Sequence, residues 1–374
     1  MNFWRYIEEH DVSASHGLAA DELLLQSHAS RGNWPATLKL YTYRNYCALC
    51  GRFQHMTAEI DVQSCRTHDV QIGRRLTGGG AIIMGNDQLG ICLATHTSAF
   101  AWNHIRDLYQ LFSRPIIDAL AVFGVKAGFR SRNDLEVDGK KVAGLGIHIS
   151  QEGAVQFHSS LLLDLEIPKK MEVLNIPIQK YSDRRVIQAV SQRMTTVRRE
   201  AGQLVTMKAL QSEILKGYSK AFGVEFQPQP FSSAEKSAIR QLEEEKYNTG
   251  AWLFQHSPQE DMTGMSLKKT PDGLLRTYIG LKGDNIKSVM ITGDLLAMPS
   301  SFTRIETLLK WSPLEKEKIS SVIEKVWTED KLHNSNLQIT PEHLTDAIWT
   351  AAQRAHAAHR YTYHGSCYYP KETA

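Results

Sequence analysis

VQIGRRLTGGGAIIM, residues Val70 to Met84, places the first constraint on the fold. An apolar stretch leads into Gly78, Gly79 and Gly80, and a second apolar stretch follows. That order predicts strand, tight turn, strand. Three adjacent glycines are entropically costly, so they imply a sharp turn or a backbone that approaches something closely. Their amides can cradle an anion, and Arg74 and Arg75 add charge able to meet a phosphate through paired hydrogen bonds. Two nucleotide folds are excluded. No Lys-Ser/Thr follows the glycines, as a P-loop requires, and a strand rather than a helix comes next, unlike the dinucleotide fingerprint. On this motif alone, a plain turn with solvated arginines remains an alternative.

The flanks extend the pattern. LAADELLLQSH, residues 18–28, has an apolar stripe at helical spacing. LKLYTYRNYCALCGRF, residues 38–53, reads as a strand pair broken by a turn at Arg44-Asn45, and Ala58 to His68 as a polar helix. QLGICLATHT, residues 88–97, reads as a third strand of the same sheet. From Trp102 to Phe123, the positions Ile105, Leu108, Phe112, Ile116, Leu120 and Phe123 mark an amphipathic helix. Pro115 is expected to kink or restart it, and Gly124 to stop it. Asp138-Gly139 is a hairpin signal, and GAVQFHSSLLLDLEI, residues 153–167, continues the sheet. The stretch to about Lys246 is mostly helical and charged. Past Trp252, turns at Asp272-Gly273 and Gly283-Asp284 punctuate short strands, and helices follow from Phe302 to Trp327. The expected class is α+β, with a small α+β unit of its own turn chemistry past Trp252.

The 374 residues are 42% hydrophobic, enough for a sizeable core, and two domains are expected from the length. The net charge of +3 is too mild and dispersed for a nucleic-acid binder. No apolar run approaches the ~20 residues needed to span a bilayer, and no signal peptide is expected. The five cysteines are odd in number and scattered, which suggests reduced thiols and a cytoplasmic protein. Cys47 and Cys50 form a CxxC, but no second ligand pair lies nearby, so a buried strand is favoured over a metal or redox pair. His356, His359, His364 and Cys367 have metal-like spacing near the end of the chain, where a helix end is the favoured reading.

The hairpin brings chemistry near the glycine turn. Lys140 and Lys141 follow Gly139 and must point to opposite faces of a strand, so at most one faces the glycines. A lysine in a partly closed pocket can stabilise negative charge that grows during acyl or phosphoryl transfer. Taken singly, a solvated lysine pair and a packed His158 are the favoured alternatives.

Together, order and spacing are more specific. RR-LTGGG-A at 74–81, ND-L-V-GKKVAG at 133–144 and H-S-S-LLLD at 158–164 resemble the lipoate–protein ligase family, within the superfamily of biotin ligases and octanoyltransferases. CGRFQ, SQRMTTV (Ser191 to Val197) and EKYNTGAWLFQHSP extend the likeness to about Trp4 to Pro258. The resemblance implies an α+β, class II synthetase-like fold, a mixed sheet flanked by helices in a catalytic domain of residues 1–258 with a smaller α+β accessory domain in residues 259–374, and an enzyme that activates lipoate (or octanoate) with ATP and transfers it to a lysine of a carrier. The carriers implied are lipoyl domains of 2-oxoacid dehydrogenases or glycine-cleavage H-like proteins, met by a monomer. It implies that Lys141 bridges the acyl carbonyl and the phosphate. Arg75, Thr77, Gly78, Gly79, Gly80 and Gly144 would line the acyl and adenylate pocket. Asn133 and Asp134 would hold the nucleotide, with Asp134 on Mg2+, and His158 and Ser160 would stand at the pocket edge.

Three departures stand out. Met84-Gly85 replace a His-Asp, Ser159 replaces a glycine, and Gly144-Leu145-Gly146-Ile147 is closer to the octanoyltransferases. An ATP-independent acyltransferase working through a cysteine thioester is therefore one alternative, although no cysteine occurs between Cys92 and Cys367. A non-catalytic lipoyl-binding protein is another.

Overall fold

A computed structural model describes residues 3–29, 35–130, 133–164, 173–174, 193–330, 332 and 337–360. Its first compact unit comprises residues 1–52 and 56–255 and its second residues 53–55 and 256–374.

The first unit opens with β1 (Phe3–Val12) and α1 (Ala14–Ala29), the helix expected from the apolar stripe. β2 (Thr37–Tyr43) and β3 (Cys47–Cys50) follow. They are not a pair. β2 lies between β1 and β6 of the large sheet, whereas β3 centres a separate small one. The expected helix at 58–68 is two short ones, α2 (Met56–Glu59) and α3 (Val62–Thr67), because Asp61 caps the second by accepting from Ser64 N at 2.9 Å. β4 (Gln71–Arg74) and β5 (Ile82–Met84) flank the glycine turn and each pairs with β3. β6 (Gln88–His96) was expected beside them, but its mates are β2 and β10.

α4 (Ile105–Val122) buries Leu108, Phe112, Ile116 and Leu120, runs unbroken through Pro115, and stops at Gly124 with φ 79°. The sheet is completed by β7 (Gly128–Arg130), β8 (Asp134–Val137), β9 (Lys140–Ile149) and β10 (Ala154–Leu162). α5 (Val197–Ala201), α6 (Met207–Phe222), β11 (Glu225–Pro228), α7 (Ser233–Leu242) and α8 (Gly250–Leu253) follow. The large sheet has the order β11-β1-β2-β6-β10-β9-β8-β7 and is mixed, with β1 parallel to both neighbours and the other pairs antiparallel.

Period-2 alternation gives this sheet two unlike faces. Leu38, Leu93, Phe157 and Ile147 stand in register, and they join Phe112, Ile116, Leu210 and Ile214 of α4 and α6 in the main core. The opposite face carries Lys39, Cys92, His158 and Gly146 in one register row, and Tyr41, Gly90, Ser160, Gly144 and Asp134 in the next. α1 packs against β10 and β6, and it places Asp21 beside Lys39.

The second unit is an antiparallel sheet of β12 (Gly264–Thr270), β13 (Gly273–Lys282), β14 (Asn285–Gly293) and β15 (Ser312–Pro313). It packs with α9 (Ser300–Leu309), α10 (Lys316–Glu329) and α11 (Pro341–Arg360) around Ile279, Phe302, Ile319 and Ile348. Turns at Asp272-Gly273 and Gly283-Asp284 join the first three strands, as expected. Among the described residues no helix is long and apolar enough to cross a membrane.

Candidate active site

The lysine hairpin turns through Asp138 (φ 48°) and Gly139 (φ 77°), which brings Lys140 opposite Val137 and Lys141 opposite Glu136. The next pair is Ala143 with Leu135, so Val142 is the extra residue of a β-bulge. Strict alternation would have put Lys141 on the same face as Ala143, which lies in the core. The bulge returns it to the face of Asp134 and Gly144. Lys141 Nζ lies 2.6 Å from Asp134 Oδ1, a close charge contact in which that oxygen has no aligned hydrogen bond. The aliphatic stem passes over Gly144, where a Cβ would stand 3.0 Å from Nζ and 3.2 Å from Cε. Ser160 Oγ closes on the same spot and donates to Gly144 O at 3.4 Å. Thr195 N donates to Lys141 O at 2.9 Å, so part of the segment expected at 191–197 is laid along β9; Ser191 itself is outside the described residues.

His158 lies one row away, with its ring over Gly146, where a Cβ would meet Nε2 at 2.5 Å. Burial first, then the charges of Arg75 and Lys141, push its pKa down to about 3. It is therefore neutral at physiological pH and able to donate or accept one hydrogen bond without adding charge.

The two arginines of the glycine motif have separate tasks. Arg74 is fully buried and donates to the carbonyls of Gly51, Arg52, Trp252 and Leu253 at 2.7–3.0 Å. It holds chain segments together. Arg75 donates to Leu49 O at 2.6 Å, Gly80 O at 3.0 Å and Gly78 O at 3.3 Å, so its guanidinium shapes the glycine turn from within. Burial lowers its pKa to about 10, which leaves it charged, and its Nε has no hydrogen-bond partner. Thr77 is buried beside it, and its Oγ1 likewise has none. Asn133 braces β9: its Nδ2 donates to Leu145 O at 3.1 Å, and its carbonyl accepts from Leu145 N at 2.8 Å.

Arg75, His158 and Ser160 line a cavity of about 20 Å³ that continues past Met84 and Leu18 to Tyr41 and Asp21. Met84, one of the residues departing from the family pattern, thus forms apolar wall. A wider surface recess at Phe100, Trp102 and Asp107 contains none of the site residues expected from the sequence. The structure therefore brings together Lys141, Asp134, Gly144, Ser160, His158 and Arg75, while Arg74 and Asn133 serve the scaffold.

The sequence reading missed the inner end of the cavity. Lys39 is fully buried, and its Nζ lies 2.7 Å from Asp21 Oδ1 and 3.1 Å from Gly17 O. Tyr41 OH donates to Asp21 Oδ2 at 3.3 Å. Two signals were present: an acid inside the apolar stripe LAADELLL, and a lysine inside the aromatic strand LKLYTY. Cys47 and Cys50 are buried strand residues, and among the described residues no cluster of three or more His, Cys, Asp or Glu side chains is placed to hold a metal ion. Of the C-terminal histidines, His364 and the Cys367 thiol lie outside the described residues, as does the side chain of His359.

Residues 13–219 match the family model described as the lipoyl protein ligase A/B catalytic domain. The chain belongs to that family. Octanoyltransferase LipM of Clostridioides difficile is 24% identical over 271 residues, covering 66% of this chain and 99% of LipM. Lipoate-protein ligase LplJ of Bacillus subtilis is 25% identical over 303 residues, covering 80% of this chain and 87% of LplJ. The structure of P. falciparum LipL1 in complex with lipoate superposes with a TM-score of 0.64 at 16% identity, covering 86% of this chain and 94% of LipL1. The α+β fold, with its large mixed sheet and small antiparallel C-terminal sheet, is the one expected for a lipoyl protein ligase, and the protein is an enzyme of the lipoyl and octanoyl transfer family.

Proposed function

We propose that this protein is an ATP-dependent lipoate–protein ligase, joining lipoate or octanoate to AMP and passing the acyl group to a lysine of a lipoyl-carrier protein. The observation that favours it over a thioester transferase is the state of Cys92. A thioester route needs an accessible thiolate. Cys92 is fully buried in β6, and burial, followed by the Asp21 carboxylate, pushes its thiol well above the ordinary range. Cys47, Cys50 and Cys65 are buried as well. The adenylate route needs positioning and electrostatics but no enzyme nucleophile.

In this reading Lys141 stabilises charge that develops on the acyl carbonyl and on the phosphate. Arg75 Nε, the Thr77 hydroxyl and the Gly78–Gly80 turn face the phosphate, and both side-chain atoms are buried polar groups lacking a partner. Asp134 suits a hard cation, since it is a carboxylate with a buried oxygen outside any aligned hydrogen bond; Mg2+ held there would neutralise phosphate charge. Neutral His158 and Ser160 orient the acyl group. The acid's carboxylate attacks the α-phosphorus of ATP and pyrophosphate leaves; an uncharged carrier lysine then attacks the acyl carbonyl, AMP leaves with the electron pair of the broken anhydride bond, and the amine's proton is released to solvent.

ATP–pyrophosphate exchange with lipoate, octanoate and biotin in parallel tests the proposal. Exchange that requires lipoate or octanoate supports it. The competing reading, octanoyl transfer without ATP, draws on the match to nearly the full length of LipM; ATP-independent transfer abolished by a cysteine substitution would establish that reading instead.

A further inference from the structure

Arg74 and Trp252 hold each other reciprocally. Arg74 Nε donates to Trp252 O, and the Trp252 indole Nε1 donates back to Arg74 O, both at 3.0 Å. β4 lies at the edge of the small sheet, where it pairs with β3, so a side chain supplies the donor that a further strand would have given. The next N–H, that of Arg75, donates to Cys50 O at 2.9 Å. The peptide unit leading into Arg75 is therefore tied at both its carbonyl and its N–H. Two residues on, Thr77 O accepts from Arg52 N at 3.0 Å.

Trp252 is itself fixed. It sits in the first turn of α8, where the cap residue Thr249 accepts from Trp252 N at 3.2 Å. Lys246 Nζ stands 4.2 Å from the Trp252 ring centroid, and the Tyr247 ring meets the indole edge-on at 5.8 Å. Lys246 in turn donates to both carboxylate oxygens of Glu22, at 2.8 and 2.7 Å, and Tyr247 OH donates to the same carboxylate at 2.7 Å. Glu22 is buried on α1. Its carboxylate is filled by these donors, so it serves as an anchor.

We propose that Trp252 is a positioning residue for the nucleotide step: its indole N–H sets the peptide plane before Arg75, and Glu22, acting through Lys246, holds the indole in place. The proposal rests on the reading above, in which Arg75 Nε and the glycine turn face the phosphate. An arginine aimed at a phosphate is effective only while its direction is fixed. In that reading the acyl group meets Lys141, His158 and Ser160 on the large sheet. Loss of the indole donor should therefore weaken the use of ATP and spare the acid.

Trp252→Phe and Trp252→His in the full chain test this. Phenylalanine keeps a ring beside Lys246 but has no N–H, whereas histidine can offer a ring N–H at the same bond count from Cβ as the indole. In Trp252→Phe the KM for ATP in pyrophosphate exchange should rise by about fivefold or more, the scale for a buried acceptor left without its donor. Its kcat, and its affinity for octanoate in calorimetry without ATP, should stay at the wild-type level. A fold defect alone would lower the amount of active enzyme and leave that KM unchanged. Trp252→His should stay close to wild type throughout. Hydrogen–deuterium exchange of the ligand-free chain gives a second readout: the amides of residues 75–80 should exchange faster in Trp252→Phe, and those of β9 and β10 should not. An unchanged KM for ATP or unchanged 75–80 exchange in a folded Trp252→Phe overturns the proposal, as does a loss in Trp252→His equal to that in Trp252→Phe. Where thermal melting shows that Trp252→Phe does not fold, a raised KM in folded Trp252→His overturns it alone. A wild type with no pyrophosphate exchange defeats the ligase reading, while faster 75–80 exchange confined to Trp252→Phe leaves the positioning role of Trp252 standing.

Discussion

Lys39 and Asp21 pair at 2.7 Å with both side chains removed from water. Breaking such a pair leaves one charge uncompensated, whereas replacing both by apolar groups can be neutral. Lys39→Met should therefore destabilise the first unit by about 3–5 kcal/mol, and adding Asp21→Leu should recover most of that loss. Urea unfolding of wild type, the single and the double variant measures it. A double variant as unstable as the single would show that the pair's charges are not what matters.

Lys141→Ala should remove acyl transfer, with a loss of ~10²-fold or more, the usual scale for deleting one preorganised electrostatic group. Its side chain is about a third exposed, so the melting temperature should hardly move. Gel-shift or mass detection of acylated carrier gives the readout. Near-normal ATP-dependent lipoylation by this variant would refute its assigned role.

Cys92→Ser should keep ATP-dependent transfer at the wild-type level, because the thiol is buried and held protonated. Abolished transfer in a variant with native circular dichroism would instead point to a thioester.

Stability should fall on mild acidification. Burial, together with the charge of His96, lowers the pKa of His28 from 6.5 to about 4. The unfolded chain therefore binds a proton that the folded one refuses, and stability is lost as pH falls from about 6.5 toward about 4. For His28 alone the loss at pH 5 is on the order of 2 kcal/mol. Chemical denaturation at pH 7.5, 6 and 5 should show this slope, and His28→Gln should flatten it. An equal slope in that variant would exclude His28 as a source.

Much of the fold was legible because periodicity reports burial. The stripe of α4 and the Asp138-Gly139 turn lie where the spacing put them. Strand partnership was less legible. β3 and β6 both look like apolar strands next to the glycine motif, yet they join different sheets, because pairing depends on contacts remote in sequence. Of the site, alternation allowed at most one hairpin lysine to face the glycines and the family resemblance picked Lys141, but what turns it to that face is the bulge at Val142, which leaves no composition mark. Asp21 and Lys39 were passed over for a related reason. Each is one polar residue in an apolar run; the row that unites Lys39 with Cys92 and His158 exists only across strands, and Asp21 reaches it only because α1 packs on that face.

The carbonyls that satisfy Arg74 come from residues 51–52 and 252–253, whereas the family match ends at 219. The smallest fragment able to fold by itself is therefore longer than the homology suggests. A truncation at 219 would strip the Trp252 and Leu253 carbonyls, two of these four acceptors, from a buried cation, and expression trials should extend beyond Leu253. The same contact makes the order of synthesis matter: a ribosome must deliver some thirty further residues, about 253 minus 219, before the glycine turn's neighbour acquires its full set of partners.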